Sequence, residues 1–208
     1  MMNNYVYILD GKAYVNLTNK CDNACEFCIR NSGDGVADTP LWLDAEPTAD
    51  DVEKAFDGLR SRLTSDEVVF CGFGEPTAAL DALIESARRF KAKGYRTRLN
   101  TNGLGSIAAG RNIAPELAGV IDVASVSLNN CNAEKYAAVT HSAYGLKAFD
   151  AVVGFAAACK AAGIETVFTV VDTIGADDIA ACAALCESLG IPLRVRGYVA
   201  DNYKAGGR

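Results

Sequence analysis

The sequence predicts an α/β fold in which short strands alternate with helices. Strand-like apolar runs are repeatedly followed by helix-like runs of similar or greater length, the pattern of parallel βαβ units. We count six such units in 208 residues, whereas a closed eightfold barrel typically needs about 250. We therefore expect a partial (β/α)6 TIM-type barrel with an N-terminal β-hairpin, and an open doubly wound sheet is the alternative.

The N-terminal third begins with a predicted hairpin and continues to the first long helix. Residues 5–9 and 13–19 flank an Asp-Gly pair, which is a strong hairpin signal. Thr48 is a predicted N-cap, because Asp51 stands three residues later. Apolar residues at helical spacing then predict the helix itself: Val52, Phe56, Leu59 and Leu63.

The rest of the chain repeats the strand–helix pattern. Further strands are predicted at residues 68–71, 97–100, 123–128, 165–171 and 193–198. Long helices that stop at a glycine are predicted at residues 80–93, 145–162 and 177–189. Between the third and fourth main strands, residues 113–117 form at most a short helix. We expect residues 1–200 to be a single core domain and residues 201–208 a loose tail.

Several predicted strands alternate polar and apolar residues, although buried parallel strands are usually apolar throughout. The third and last main strands show this most clearly: Arg98-Leu99-Asn100 and Arg194-Val195-Arg196. Successive side chains of a strand point to opposite faces of the sheet, so one face can pack on helices while the other is polar. Such a polar face would meet water or a polar ligand, unless it is simply a solvated edge.

Composition narrows the function classes. The chain has 20 Lys and Arg against 26 Asp and Glu, a net charge of −6, which argues against nucleic acid as a partner. It has neither an 18-residue apolar stretch nor a basic and apolar leader, so we expect a cytoplasmic protein without membrane contact. In a reducing compartment its eight cysteines suggest metal or redox chemistry rather than disulfides.

Three cysteines stand close together directly after a predicted strand. Cys21, Cys25 and Cys28 have Cys-x₃-Cys-x₂-Cys spacing, and three thiolates can converge on one soft metal centre. A structural zinc site needs a fourth ligand that no nearby residue supplies. A four-iron cluster commonly has four cysteine ligands, so three would leave one iron open. The polar residues between the cysteines argue against accidental clustering of buried side chains.

With Phe27 before the third cysteine, this motif resembles that of the radical S-adenosylmethionine (SAM) superfamily. The resemblance implies that Cys21, Cys25 and Cys28 bind a [4Fe–4S] cluster, that SAM chelates its remaining iron, and that Phe27 lies beside the adenine. It implies oxygen-sensitive chemistry and a one-electron reductant of the flavodoxin or ferredoxin type. The implied reaction cleaves SAM to methionine and a 5′-deoxyadenosyl radical, which abstracts hydrogen from an unknown substrate.

A second match follows the second main strand. Gly72, Phe73, Gly74 and Glu75 resemble the Gly-Gly-Glu motif of the superfamily, with Phe73 in place of its first glycine. The resemblance implies that this backbone contacts the amino group of SAM and that Glu75 accepts from the ammonium. Glycine suits such a close approach, although a plain strand–helix turn would look the same without the cysteines.

Polar residues near the ends of later strands complete the candidate site. By the same resemblance, four of them contact the cofactor, although each could belong to an ordinary strand-terminating turn: Asn100, Asn102, Ser127 and Asn129. Arg194 and Arg196 could bind a carboxylate or phosphate of the substrate bidentately. They could equally be a solvated basic pair at the sheet edge.

The resemblance extends to one small subfamily, the radical SAM proteins associated with TatD-type hydrolases. The features that carry it include Gly33-Asp34-Gly35-Val36 and Leu41-Trp42-Leu43. It implies a partner that is an unknown substrate. The candidates for this partner include a protein and a TatD-type hydrolase. Two alternatives remain open. One is an activating enzyme of the glycyl-radical type that acts on a partner protein, and the other is a non-catalytic iron–sulfur or zinc-binding module.

The remaining cysteines and the one histidine have weaker signals. Three cysteines on predicted helices read as buried small residues rather than ligands: Cys159, Cys182 and Cys186. Cys71 and Cys131 lie nearer the candidate site in sequence, which leaves a radical-relay role open. His141 stands alone, so we expect a surface or capping role.

Overall fold

A computed structural model describes residues 3–36 and 38–198. The predicted tail at 201–208 and the last two residues of the predicted core lie outside these ranges. Helices pack on a mostly parallel sheet, which confirms the α/β prediction. The strands are β1 (Val6–Leu9), β2 (Lys12–Val15), β3 (Gly35–Val36), β4 (Thr39–Pro40), β5 (Glu67–Phe70), β6 (Arg96–Thr101), β7 (Val123–Ser127), β8 (Glu165–Val171) and β9 (Leu193–Arg196).

The main sheet runs in the order β1-β2-β5-β6-β7-β8-β9. The hairpin strand β1 is antiparallel to β2, and every later pair is parallel. This order follows the chain without the reversal of a doubly wound sheet, so it favours the predicted partial barrel of six parallel strands. Among the described residues β1 and β9 lie at opposite edges of the sheet and do not pair, so the barrel is open along one side.

Seven helices connect the described strands: α1 (Ala49–Leu59), α2 (Leu80–Ala92), α3 (Gly105–Ala109), α4 (Ala114–Leu117), α5 (Ala133–Thr140), α6 (Lys147–Ala161) and α7 (Ala176–Leu189). The predicted cap of α1 is confirmed, because Thr48 and Asp51 form a reciprocal capping box. The short helices α3 and α5 were not predicted from the sequence. None of the described helices is long and apolar enough to cross a membrane.

The apolar faces of the strands build the main core against the helices. Val15, Phe70, Leu99, Val126 and Phe168 all belong to this core and are at most 2% exposed. The alternate residues of these strands face the inside of the barrel, which we call the lumen. The mixed strand patterns therefore separate a helix-facing apolar side from a more polar lumen side.

Candidate functional site

The cysteine loop, residues 21–28, follows β2 at the carboxyl end of the sheet. The chain at the end of α5 holds this loop through backbone hydrogen bonds. Ala24 N donates to Thr140 O over 2.9 Å, and Glu26 N donates to Val139 O over 3.1 Å. The carboxyl end of a barrel is where α/β enzymes place their active sites. The unpredicted helix α5 thus fixes the predicted motif at this end.

Side chains reinforce the contact between the cysteine loop and α5. His141 ends α5 in the left-handed region at φ +46°, and its Nε2 lies 3.2 Å from Glu26 Oε1. This confirms the predicted capping role of the single histidine. On the buried side, Asn23 Nδ2 donates to the Tyr136 hydroxyl over 3.3 Å. The loop is therefore held at its surface and at its buried face.

The thiols of the loop affect one another electrostatically. Burial raises the pKa of Cys21, and burial together with Cys28 and Cys21 raises the pKa of Cys25 to about 12. Asn102 Nδ2 lies 3.8 Å from Cys21 Sγ and is oriented to donate to it. A bound cation would favour the thiolate form of all three cysteines, so metal binding and loss of the thiol protons are coupled here.

The donor set of the loop fits an iron–sulfur cluster by its chemistry. It offers three soft sulfur donors within eight residues. Within residues 3–36 and 38–198, no group of three or more His, Cys, Asp or Glu side chains has metal-binding geometry as it stands. Metal binding is commonly coupled to local folding, so a preformed geometry is not required. The assignment of the three ligands remains a prediction.

Glu75 ties two strand-terminal turns together. Its carboxylate is 6% exposed, and its Oε1 accepts from Thr77 N at 3.0 Å and from the Thr101 hydroxyl at 2.7 Å. Its Oε2 accepts from Asn102 N at 2.7 Å. Burial raises the pKa of Glu75, against the effect of these donors. The predicted contact with the SAM ammonium remains a prediction, and Glu75 has a structural role independent of it.

Gly72 and Gly74 let the same turn pack against the chain that leads into the cysteine loop. A Cβ on Gly72 would lie 2.0 Å from Asn16 Oδ1, and a Cβ on Gly74 would lie 2.2 Å from Thr18 O. These distances are too short for any side chain. Packing within the protein therefore requires glycine at both positions, whether or not the turn also contacts SAM.

Phe73 belongs to a second, smaller apolar cluster. It is 4% exposed and packs there with Tyr7, Val36 and Leu41. Its ring meets Trp42 edge-on at a centroid distance of 5.1 Å. Phe73 thus anchors the segment between the cysteine loop and α1, which explains an aromatic residue where the superfamily motif has glycine.

Four further polar residues lie at or just beyond the ends of β6 and β7. Asn102 Oδ1 accepts from Leu104 N at 2.8 Å, so its side chain also shapes a turn. Asn129 has φ +60°, which places a non-glycine residue in the left-handed region at the end of β7. Ser127 pairs in register with Thr169 of β8. Asn100 Oδ1 is buried and has no hydrogen-bond partner among the described residues, so it can accept from a ligand.

Phe27 lines a cleft of about 240 Å³ beside the cysteine loop. The other lining residues come from the cysteine loop, from α5 and from the turns after β8 and β9: Glu26, Val139, Thr173, Ile174 and Tyr198. None of these five was predicted as a site residue, because nothing in their sequence marks a site. A larger cavity of about 400 Å³ lies at the amino ends of the strands, the end that carries stability rather than catalysis in such barrels.

The other cysteines divide between core and lumen. Cys159, Cys182 and Cys186 are at most 2% exposed, which confirms their prediction as buried small residues. Cys131 packs against the helix-side core, and its sulfur interacts with Cys182 of α7. Cys71 follows β5 on the lumen side, and burial raises its pKa. Of the two candidates for a relay, only Cys71 faces the site.

Comparison with solved structures finds two of similar fold with bound AdoMet, and a third match with a lower TM-score. Native anSMEcpe with bound AdoMet matches with a TM-score of 0.64 at 18% identity, over 94% of this chain and 53% of that one. Native anSMEcpe with bound AdoMet and Cp18Cys peptide matches at 0.61 and 17%, over 94% and 52%. A radical SAM methyltransferase from Sphaerobacter thermophilus matches at 0.48 and 16%, over 96% and 72%.

These similarities concern the fold, since the identities are low. The chain spans about half the length of the anSMEcpe structures that it matches. No curated protein matches the chain significantly. The sequence model of the Radical SAM superfamily matches residues 15–184, which include the cysteine loop, the Glu75 turn and the strand ends described above. By this match, the chain belongs to the radical SAM superfamily.

Proposed function

We propose that the protein is an enzyme that holds a [4Fe–4S] cluster on Cys21, Cys25 and Cys28 and binds SAM beside it. The observation that carries the proposal is the convergence of two motifs distant in sequence. Asn102, held by Glu75, directs its amide toward Cys21. When bound, the reduced cluster would supply an electron that cleaves SAM to methionine and a 5′-deoxyadenosyl radical, which takes hydrogen from the substrate.

The chain's own residues position these groups and limit the access of water. The Phe27 cleft opens beside the cysteine loop, and its mixed aromatic and aliphatic wall suits the adenine of SAM. The buried Asn100 Oδ1 has no hydrogen-bond partner among the described residues, so it is a candidate acceptor for a donor of the ligand. Ser127 and Asn129, at the end of β7, are further candidates for contacts with the ribose and the carboxylate.

The test is anaerobic reconstitution with iron and sulfide, followed by dithionite and SAM. We expect a four-iron spectrum and the formation of 5′-deoxyadenosine. Cys25→Ala should lose both, because only two of the three ligands remain. Cys131→Ala is the matched control and should keep both, since its side chain packs against the helix-side core.

Two results would contradict the proposal. One is a Cys25→Ala protein that keeps the four-iron spectrum. The other is a wild-type protein with a full cluster and bound SAM that forms no 5′-deoxyadenosine. The second result would favour a non-catalytic iron–sulfur module, and a colourless protein loaded with zinc would favour a zinc-binding module.

A second candidate for the substrate is a partner protein, as in activation of the glycyl-radical type. The observation in its favour is the open side of the barrel between the edge strands β1 and β9. The assignment to the TatD-associated subfamily belongs with this candidate, with a TatD-type hydrolase as the partner. Formation of 5′-deoxyadenosine that rises on addition of the partner would support it, and no change would count against it.

A further inference from the structure

A group of charged side chains lies on the lumen side of the barrel, toward the amino ends of the strands. Glu67 of β5 accepts from Lys12 Nζ at 2.6 Å and from Arg98 Nε at 3.0 Å. Burial acts to raise the pKa of Glu67, but the hydrogen bonds from Lys12 and Arg98 outweigh it and lower the pKa. One carboxylate therefore neutralises part of the charge of two cations.

Arg194 and Arg196 add two cations on the edge strand β9. They are two residues apart, so their side chains leave the same face of the strand. Arg194 pairs in register with Thr169 of β8, and its Nη2 donates to Ser125 Oγ on β7 over 3.2 Å. To reach Ser125, the Arg194 side chain crosses β8 on the lumen face. Its hydrogen-bond partner is a neutral hydroxyl.

This group of five charged side chains therefore has a net positive charge, although the protein as a whole is negative. Lys12, Arg98, Arg194 and Arg196 carry four positive charges against the one negative charge of Glu67, a local sum of +3, while the chain has a net charge of −6. Among the described residues, neither Arg194 nor Arg196 forms an ion pair with a carboxylate. Both arginines are exposed on the edge strand, so water solvates them in the free protein and an anion can reach them.

The arginines also connect to the cofactor end of the barrel. The pKa of Cys71, which burial raises, is lowered in part by the charge of Arg196 and raised in part by those of Glu75 and Cys28. These groups therefore lie around one lumen position below the cysteine loop. The Asn100 side chain interacts with the same thiol and leaves its buried Oδ1 without a partner. A ligand held by Arg196 would lie close to where SAM is proposed to bind.

We propose that Arg194 and Arg196 bind an anionic oxygen group of the substrate, a carboxylate or a phosphate, inside the lumen. This inference rests on the proposed function, which it extends by naming the substrate class. A guanidinium can hold either group bidentately. Arg98 adds long-range attraction from the floor of the lumen, while Ser125 orients Arg194. The open side of the barrel next to β9 gives such a substrate a route of entry.

The test measures binding of two probes, inorganic phosphate and succinate, to the anaerobically reconstituted protein by calorimetry at low ionic strength. Arg194→Gln and Arg196→Gln should each weaken binding of the preferred probe by at least about tenfold, the usual effect of losing a charge-assisted hydrogen bond. Arg62→Gln is the matched control, because Arg62 is exposed on a turn after α1. It should bind the probe as the wild type does.

Lysine variants separate binding from protection of the edge strand, because inward-facing charges also prevent edge-to-edge association. Arg194→Lys keeps the charge and loses the bidentate geometry, so affinity should fall between those of the wild type and Arg194→Gln. Equal affinity in wild type and both glutamine variants overturns the inference, and so does a wild type that binds neither probe. Preference for phosphate or for succinate identifies the group.

Formation of 5′-deoxyadenosine by the wild type is measured in parallel. Arginine-dependent anion binding without 5′-deoxyadenosine would leave the lumen site in place and remove the proposed function. 5′-Deoxyadenosine without arginine-dependent binding would leave the proposed function in place and overturn the lumen site.

Discussion

Glu75 and Glu67 are two carboxylates on the same barrel, 6% and 8% exposed, with opposite surroundings. Glu75 accepts hydrogen bonds from uncharged groups of two turns, and burial raises its pKa. Glu67 is paired with Lys12 and Arg98, and its pKa is lowered despite burial. The two pKa shifts are opposite because Glu75 lies deeper and accepts only from uncharged donors, whereas Glu67 is less deeply buried and accepts from two cations.

The two carboxylates therefore have different roles in the protein. The uncharged donors around Glu75 are backbone and hydroxyl groups of the turns after β5 and β6, so that carboxylate organises the loops at the proposed cofactor site. The cations around Glu67 together carry more positive charge than its one negative charge can neutralise. The surroundings of Glu67 are therefore net positive, which favours binding of an anion. Three predictions test whether the two carboxylates differ in this way.

The largest effect is expected for Glu75→Gln. The amide places a donor where one carboxylate oxygen accepts, so a buried N–H group of a turn loses its partner. We expect the free energy of unfolding to fall by about 2 kcal/mol, measured by denaturant titration. Glu116→Gln, which removes a carboxylate from an exposed pair with Arg111, is the control and should change it by less than about 0.5 kcal/mol.

The stability of Glu75→Gln also determines how its SAM binding is interpreted. Weaker SAM binding by Glu75→Gln would follow from distorted turns as well as from a lost ammonium contact. A variant with unchanged stability and weakened SAM binding would instead support the direct contact and contradict the structural role.

A smaller effect is expected for Glu67→Gln. Lys12 is 37% exposed and can turn to solvent, so stability should fall by only about 1 kcal/mol. Anion binding should strengthen, because the variant removes the negative charge from the lumen group. Stability and anion affinity therefore change in opposite directions. A weakened phosphate or succinate affinity would show that Glu67 positions the arginines rather than opposing the anion.

The smallest effect is a difference in pH dependence. For Glu67 the folded pKa is below 4.5, so its stabilisation is present above pH 4.5 and is lost as the pH falls through the folded value. For Glu75 the folded pKa is above 4.5, so stability is lost as the pH rises above 4.5 toward the folded value. On acidification, the wild type should therefore lose stability relative to Glu67→Gln and gain it relative to Glu75→Gln. Urea titrations over a suggested range of about pH 3.5 to 7 measure both slopes, and slopes of the same sign would contradict the comparison.

Local patterns were sufficient to predict most of the elements. The Asp-Gly pair predicts the β1–β2 hairpin, and Thr48 with Asp51 predicts the start of α1, because turns and caps depend on residues close in sequence. The short helix α5 was missed. Its N-cap Asn132 leads into only eight residues, and so short a helix depends on tertiary packing for its stability.

In the candidate site, too, local patterns predicted some features and tertiary packing determined others. The spacing of Cys21, Cys25 and Cys28 and the resemblance of two motifs pointed to the superfamily, because soft metal ligands leave a compact signature in sequence. The contacts of Val139 and Thr140 with the cysteine loop join residues more than 100 positions apart, and no local pattern could reveal them.

Local patterns were enough to predict the alternation of strands and helices, the cysteine triplet and the two arginines of the last strand. The folded structure was needed to show that Glu75 joins two turns, that Phe73 packs with Tyr7 and Leu41, and that Arg194 reaches Ser125 past β8. Distance along the chain explains this division. Periodicity and capping act over a few residues, whereas burial and charge neutralisation depend on which distant strands the fold brings side by side.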